Sequence, residues 1–125
     1  MAFEEWRNSI KRAWHDPFIR WTSILELVAI LAGSAFFLWR LIPEGLRSGV
    51  LILHYNIYLG IDDVRVWQWI FFVPGAMLVV YLADLIAACV LLKTDELAAR
   101  ALVALTAVLT VAWAVAAFFL ILVNL

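Results

Sequence analysis

The 25 residues from Ala101 to Leu125 carry no formally charged side chain. As a helix rising about 1.5 Å per residue, such a run is roughly 37 Å long. That exceeds the ~30 Å hydrocarbon thickness of a bilayer, so this stretch restricts the chain to folds that live in lipid. Two further runs are long enough to cross: Thr22–Ile42, with Glu26 near its start and Arg40 near its end, and Trp69–Leu92, with Asp84 inside it. An acidic residue at mid-bilayer costs roughly 2.5–3.5 kcal/mol on an insertion scale, and each Leu, Ile, Phe or Val returns about 0.3–0.6. The many such residues of Trp69–Leu92 outweigh Asp84, and the balance for Thr22–Ile42 is closer. Composition agrees. Hydrophobic residues make up 67% of the 125 and charged residues 15%, against about 45–50% and 25% in soluble domains. Intrinsic disorder, a disulfide scaffold and a soluble nucleic-acid binder are excluded. Nine basic residues face ten acidic ones for a net charge of −1, which names no polyanionic partner.

The expected fold is therefore an all-α integral membrane protein, one domain over 1–125 with three transmembrane helices. Its parts are a cytoplasmic arm (1–16), span 1 (22–42), an extracytoplasmic segment (43–68), span 2 (69–92), a cytoplasmic loop (93–100) and span 3 (101–125). Ala32-Gly33-Ser34-Ala35 has the small residues of a signal-peptide cleavage site. The apolar run nevertheless continues through Phe36, Phe37, Leu38 and Trp39, which reads as a retained anchor. Arg7, Lys11, Arg12 and Arg20 precede span 1, and Lys93 and Arg100 follow span 2. Only Arg47, Arg65 and the bordering Arg40 fall on the other side. Positive charge concentrates in cytoplasmic loops, so the N-terminus is expected inside the cell and the C-terminus outside.

In the arm, Phe3, Trp6, Ile10 and Trp14 recur every three or four residues with Arg7, Lys11 and Arg12 between them. That spacing predicts an amphipathic helix lying in the headgroup region, serving as an anchor or as a docking face for a cytoplasmic partner. Asp16-Pro17 predicts a cap and first helical residue for the helix entering span 1. Trp6, Trp14, Trp21, Trp67 and Trp69 are expected as interfacial anchors. Trp113 sits mid-span, where packing on a helix or on lipid is expected. Cys89, the one cysteine, is read as a small apolar filler.

Four polar residues fall inside the spans. Measured from the basic borders, Glu26, Asp84 and Thr106 lie roughly 9–14 Å deep in the same leaflet, and Thr110 is one turn beyond Thr106. A cluster of two carboxyls and two hydroxyls is geometrically possible. Intramembrane acids mark proton or cation pathways, or act as polar glue between helices. Threonine in a span commonly bonds its own helix carbonyls. Ala29 with Gly33, and the alanines at 107, 112, 114, 116 and 117, offer small faces for close helix approach.

Pro43-Glu44-Gly45 is expected to break the first helix. Val50 to Leu59 is rich in β-branched and aromatic residues and closes on Gly60-Ile61-Asp62-Asp63, which predicts an extended or hairpin segment. Within it, His54-Tyr55-Asn56-Ile57-Tyr58-Leu59-Gly60-Ile61-Asp62 resembles the HYN-x-Y-x-GID signature of small, uncharacterised bacterial integral membrane proteins. The resemblance covers about nine residues and implies a bacterial cytoplasmic membrane and no activity. Read physically, His54, Asn56 and Asp62 are donors and acceptors at the outer surface, in a spacing that matches no metal-ligand pattern. The structural assignment is that Asn56 and Gly60 set turns, Asp62 caps the next helix, and Tyr55 and Tyr58 sit at the interface. Pro74-Gly75 predicts a kink near the outer end of span 2.

No nucleophile–base pair, phosphate loop or Cys/His cluster is present in the sequence. The expectation is a non-catalytic membrane subunit without cofactor, nucleic acid or metal. Its partners would be the bilayer and either further copies of itself or a larger membrane complex. The competing expectation is a small oligomeric ion or proton channel or transporter using Glu26 and Asp84.

Overall fold

A computed structural model describes the backbone of residues 1–56 and 60–125, and the side chains of 1–53 and 65–125. Tyr58 lies outside the described residues, as do the side chains of His54, Tyr55, Asn56 and Asp62. The element order is α1 (Ala2–His15), α2 (Pro17–Ser48), β1 (Val50–Asn56), β2 (Gly60–Val66), a 3-10 turn (Trp67–Phe71), α3 (Phe72–Leu91) and α4 (Glu96–Asn124). Three helical stretches are long and apolar enough to cross a membrane: Pro17–Ser48, Trp67–Leu91 and Glu96–Asn124.

Asp16 separates α1 from α2. Its side chain accepts hydrogen bonds from the Phe18 and Ile19 N–H groups at 3.0 and 3.2 Å, with Pro17 at the first helical position, as the Asp-Pro pair predicts. Pro43 does not end the helix; α2 continues through it to Ser48. Proline in a helix interior frees one carbonyl and costs about 3 kcal/mol, yet the following turn is held from several directions. Glu44 and Arg47 form an ion pair at 2.6 Å, and the Ser48 hydroxyl bonds the Glu44 carbonyl at 2.9 Å. Gly49 then stops the helix in the left-handed region at φ 80°, returning its N–H to Gly45. Gly45 is buried under Trp67, and a Cβ there would stand 2.5 Å from the Trp67 Cβ. Only glycine permits that approach.

β1 and β2 pair antiparallel, from Val50 opposite Val66 to Asn56 opposite Gly60, with register slips between Ile52 and His54 and between His54 and Tyr55. Asp62 therefore sits inside a strand. The turn that follows opens at Val66, four residues beyond Asp62, and the capping role expected of the Asp62 side chain lies outside the described residues. Trp67 is half-buried on Gly45 and leans inward.

The spans meet along seams of nearly constant spacing. Buried residues on α2 are Ile19, Ser23, Glu26, Ile30, Phe37, Leu41 and Gly45. On α4 they are Ala99, Val103, Thr106, Thr110, Ala117 and Ile121. Steps of three, four and seven are those of a heptad seam between nearly aligned helices. Each series skips one place, 33 on α2 and 113 on α4, and these two meet. Gly33 receives the Trp113 ring, whose indole N–H donates to the Val73 carbonyl at 3.0 Å. Small against large fills the seam without a void.

Along the bundle the apolar core is divided into clusters. One end holds Ala13, Ile19, Ala88, Cys89, Ala99 and Val103; the middle holds Ile30, Met77 and Tyr81; the other end holds Phe37, Leu41, Leu51, Ile70, Ala117 and Ile121. Cys89 sits in the first of these as a buried free thiol. Between that first cluster and the middle one lies a polar layer.

Candidate functional site

The polar layer is built from positions where the seams carry oxygen. α2 contributes Ser23 and Glu26, one turn apart; α3 contributes Tyr81 and Asp84, likewise; α4 contributes Thr106 and Thr110. Residues three or four apart share a helix face, so each helix turns two oxygen-bearing side chains to the common axis. Glu26 is 6% exposed, Thr106 2% and Thr110 5%.

Several of these groups are satisfied. The Tyr81 hydroxyl donates to the Ser23 carbonyl at 2.9 Å, tying α3 to α2. Thr110 donates to the Thr106 carbonyl at 2.9 Å. The Thr106 hydroxyl lies 3.0 Å from the Leu102 carbonyl and 2.9 Å from Asp84 Oδ2. A hydroxyl has one proton, so Thr106 serves one acceptor at a time, and its contact with Asp84 joins α4 to α3. Both expected habits of threonine, local carbonyl bonding and bonding across helices, occur at this one side chain.

Glu26 is different. Its Oε1 atom is buried and has no hydrogen-bond partner among the described residues, and the Ser23 hydroxyl beside it is likewise buried and unpartnered. Glu26 also lies within electrostatic range of Asp84 on α3 and Tyr81. A buried polar oxygen left without a partner costs about 1–3 kcal/mol, more when charged. Such a group in a native fold calls for a role. The oxygens here are hard donors, suited to a proton or a hard cation rather than a soft metal. Among the described residues, no three His, Cys, Asp or Glu side chains converge as a metal-binding group.

Above this layer, toward α1, several charges are paired. Arg100 at the start of α4 reaches Asp16 Oδ2 with Nε at 3.1 Å and Nη2 at 3.0 Å, and Glu96 at 2.5 Å. Burial raises the Asp16 carboxyl, but the Ile19 N–H, the Arg100 guanidinium and the Phe18 N–H together hold it below its ordinary value of 3.8. Lys93 lies 4.0 Å from Glu5 on α1. These ties link the start of α2 to the start of α4, and α1 to the residues between α3 and α4.

The structure thus gathers Glu26, Asp84 and Thr106, with Thr110 one turn along. Sequence reasoning passed over Ser23 and Tyr81, although both continue the seam spacing of their neighbours. It also passed over Asn124. That side chain accepts from the Ile52 N–H and donates to the Ile52 carbonyl, both at 2.7 Å, and so closes the outer edge of β1 with the end of α4. Comparison with protein-family models, curated proteins and solved structures finds no match to this chain.

Proposed function

We propose that this is a non-catalytic integral protein of a bacterial cytoplasmic membrane that takes up and passes on a proton or a monovalent cation at Glu26 and Asp84. The single observation that supports it most is the buried, unpartnered Glu26 carboxyl oxygen beside a second carboxyl, inside a bundle of three apolar helices. Intramembrane acids facing a bundle interior are the usual carriers of ion and proton pathways. Glue alone accounts for Asp84, which has Thr106, and leaves Glu26 without a reason.

In this reading α1 lies in the cytoplasmic headgroup layer. Phe3, Ile10 and Trp14 are exposed on it and face lipid, while Ser9 and Ala13 face the bundle. The paired strands stand at the outer surface. With the N-terminus inside, the polar layer falls in the cytoplasmic leaflet, below the Asp16–Arg100 pair.

Two motives for a purely structural assembly subunit find partners within the chain: Gly33 packs on Trp113, and β1 pairs with β2 and Asn124. Association of copies retains one specific support, since Ala112 and Ala116 are exposed one turn apart on α4 and permit close helix approach.

Proteoliposomes loaded with a pH-sensitive or Na⁺-sensitive dye test the proposal. The expected result is uptake driven by an imposed gradient, abolished by Glu26→Gln and reduced at least tenfold by Asp84→Asn, with unchanged elution of the purified variants. No uptake by the native chain, or full uptake by Glu26→Gln, would overturn it.

A further inference from the structure

A groove of about 380 Å³ runs between α1, α2 and α3, on the outside of the bundle. That volume lies in the range of small-molecule sites, roughly 300–1,000 Å³. Its walls are almost wholly apolar, with Ile24 and Leu27 on α2 facing Leu85 and Ile86 on α3, and Trp6 and Trp14 of α1 closing one end. The polar groups lining it include Arg20 and Ser23, and each carries an orphan. Arg20 Nε and Ser23 Oγ are both buried without a hydrogen-bond partner, and Ser23 is 9% exposed.

Lys11 and Arg12 nearby are exposed, whereas Arg20 is partly buried with its Nε enclosed. Arg7 has Glu4, and Arg100 has Asp16 and Glu96. Arg20 forms no ion pair among the described residues. Its guanidinium is instead held between rings, 6.0 Å from the Trp14 centroid and 5.2 Å from that of Trp21, with Nη1 3.5 Å from the Trp14 carbonyl. Stacking fixes the fork while leaving its N–H groups for a planar or tetrahedral anion. A cation with open donors, at the end of an apolar trough and level with an interfacial helix, is complementary to one kind of molecule: an anion with a hydrocarbon tail.

We infer that this groove holds one anionic phospholipid of the surrounding bilayer, its phosphate on Arg20, its ester region at Ser23, and an acyl chain along Ile24, Leu27, Leu85 and Ile86. Basic pockets between membrane helices on the cytoplasmic side bind anionic headgroups in this way. Glu26 is not among the groove's lining residues, whereas Ser23 and Tyr81 border both the groove and the polar layer. Tyr81 stands between them, lining the groove while bonded to Ser23.

Native mass spectrometry of the delipidated protein in detergent tests this, with phosphatidylglycerol and phosphatidylcholine of identical acyl chains as probes. One cation near a headgroup is worth about a fivefold preference. Phosphatidylglycerol should therefore be retained about fivefold more tightly, as a single adduct. Arg20→Gln should abolish the preference, and Arg40→Gln, at the far end of the same helix, should keep it. Leu27→Trp, which fills the trough and leaves Arg20 in place, should weaken retention of phosphatidylglycerol. Equal retention of the two lipids by the native chain, or an undiminished preference in Arg20→Gln, would overturn the inference. So would complete displacement of the lipid by inorganic phosphate, since that would remove any part for the acyl chain.

Discussion

Replacing Asp16 separates two functions of one carboxylate. It caps α2 through the Phe18 and Ile19 N–H groups and holds Arg100 of α4 through Oδ2. Losing a cap costs about 1 kcal/mol, within a range of 0.5–2. A fully desolvated charged hydrogen bond would add about 1.5–3 kcal/mol. Arg100 is 44% exposed and keeps Glu96, so the value is discounted toward the 0.2–1 kcal/mol of exposed pairs. Asp16→Ala, which removes both, should lose about 1.5–2 kcal/mol. Asp16→Asn keeps an acceptor for the cap and should lose about 0.5 kcal/mol. The pH dependence follows from the depressed Asp16 carboxyl. A lowered folded value means that the native state binds its proton less readily than the unfolded chain does. The contribution is therefore complete above the unfolded value near 3.9 and fades as pH falls through the lower folded value. Denaturation in mixed micelles, followed by helical circular dichroism at pH 7 and pH 3, reads all of this. Both variants should approach the native chain at the lower pH. Equal loss in Asn and Ala variants, or a difference that persists undiminished at pH 3, would refute the reasoning.

Gly45→Ala places a Cβ 2.5 Å from the Trp67 Cβ, an atom bound to backbone that no rotamer moves; it should lose about 1–3 kcal/mol to overpacking despite alanine's better helix propensity, in the same denaturation assay. Asn124→Leu strips the Ile52 N–H and carbonyl of their side-chain partner; about 1–3 kcal/mol of local stability should go, seen as faster hydrogen exchange at the Ile52 amide while the Ile30 amide is unchanged. Single cysteines at Thr94 and Ser48, in a Cys89→Ala background, should react with a membrane-impermeant maleimide from opposite faces, Ser48 from outside the cell; labelling of both from one face would contradict the threading.

Much of this architecture can be read from local pattern. Uncharged length specifies the spans, and Asp16-Pro17 is a cap whose partners are two and three residues away. The depth arithmetic for Glu26, Asp84 and Thr106 relies only on the rise per residue that helices share, and Thr106 does meet Asp84 across α4 and α3. The features that escaped reading depend on distant residues. Pro43 has a standard local penalty, and it is offset by Trp67 closing on Gly45 from 22 residues away. Asn124 resembles an ordinary helix end until β1 arrives beside it. The Arg100 guanidinium suggests a cytoplasmic border charge, and only the packing of α4 against α2 gives it Asp16. The burial of Glu26 belongs with these. Six residues from Arg20 it could have reached headgroup water, and the seam that carries Ser23, Glu26 and Ile30 turns it inward instead.

Infrared difference spectroscopy of the reconstituted protein tests the central claim most directly, by watching carboxyl carbonyl absorption while pH or Na⁺ is varied. The account predicts a titrating carboxyl band in the native chain that Glu26→Gln removes and Asp84→Asn shifts. Difference spectra identical in the native chain and Glu26→Gln would contradict it, since the orphan carboxyl would then bind neither proton nor cation.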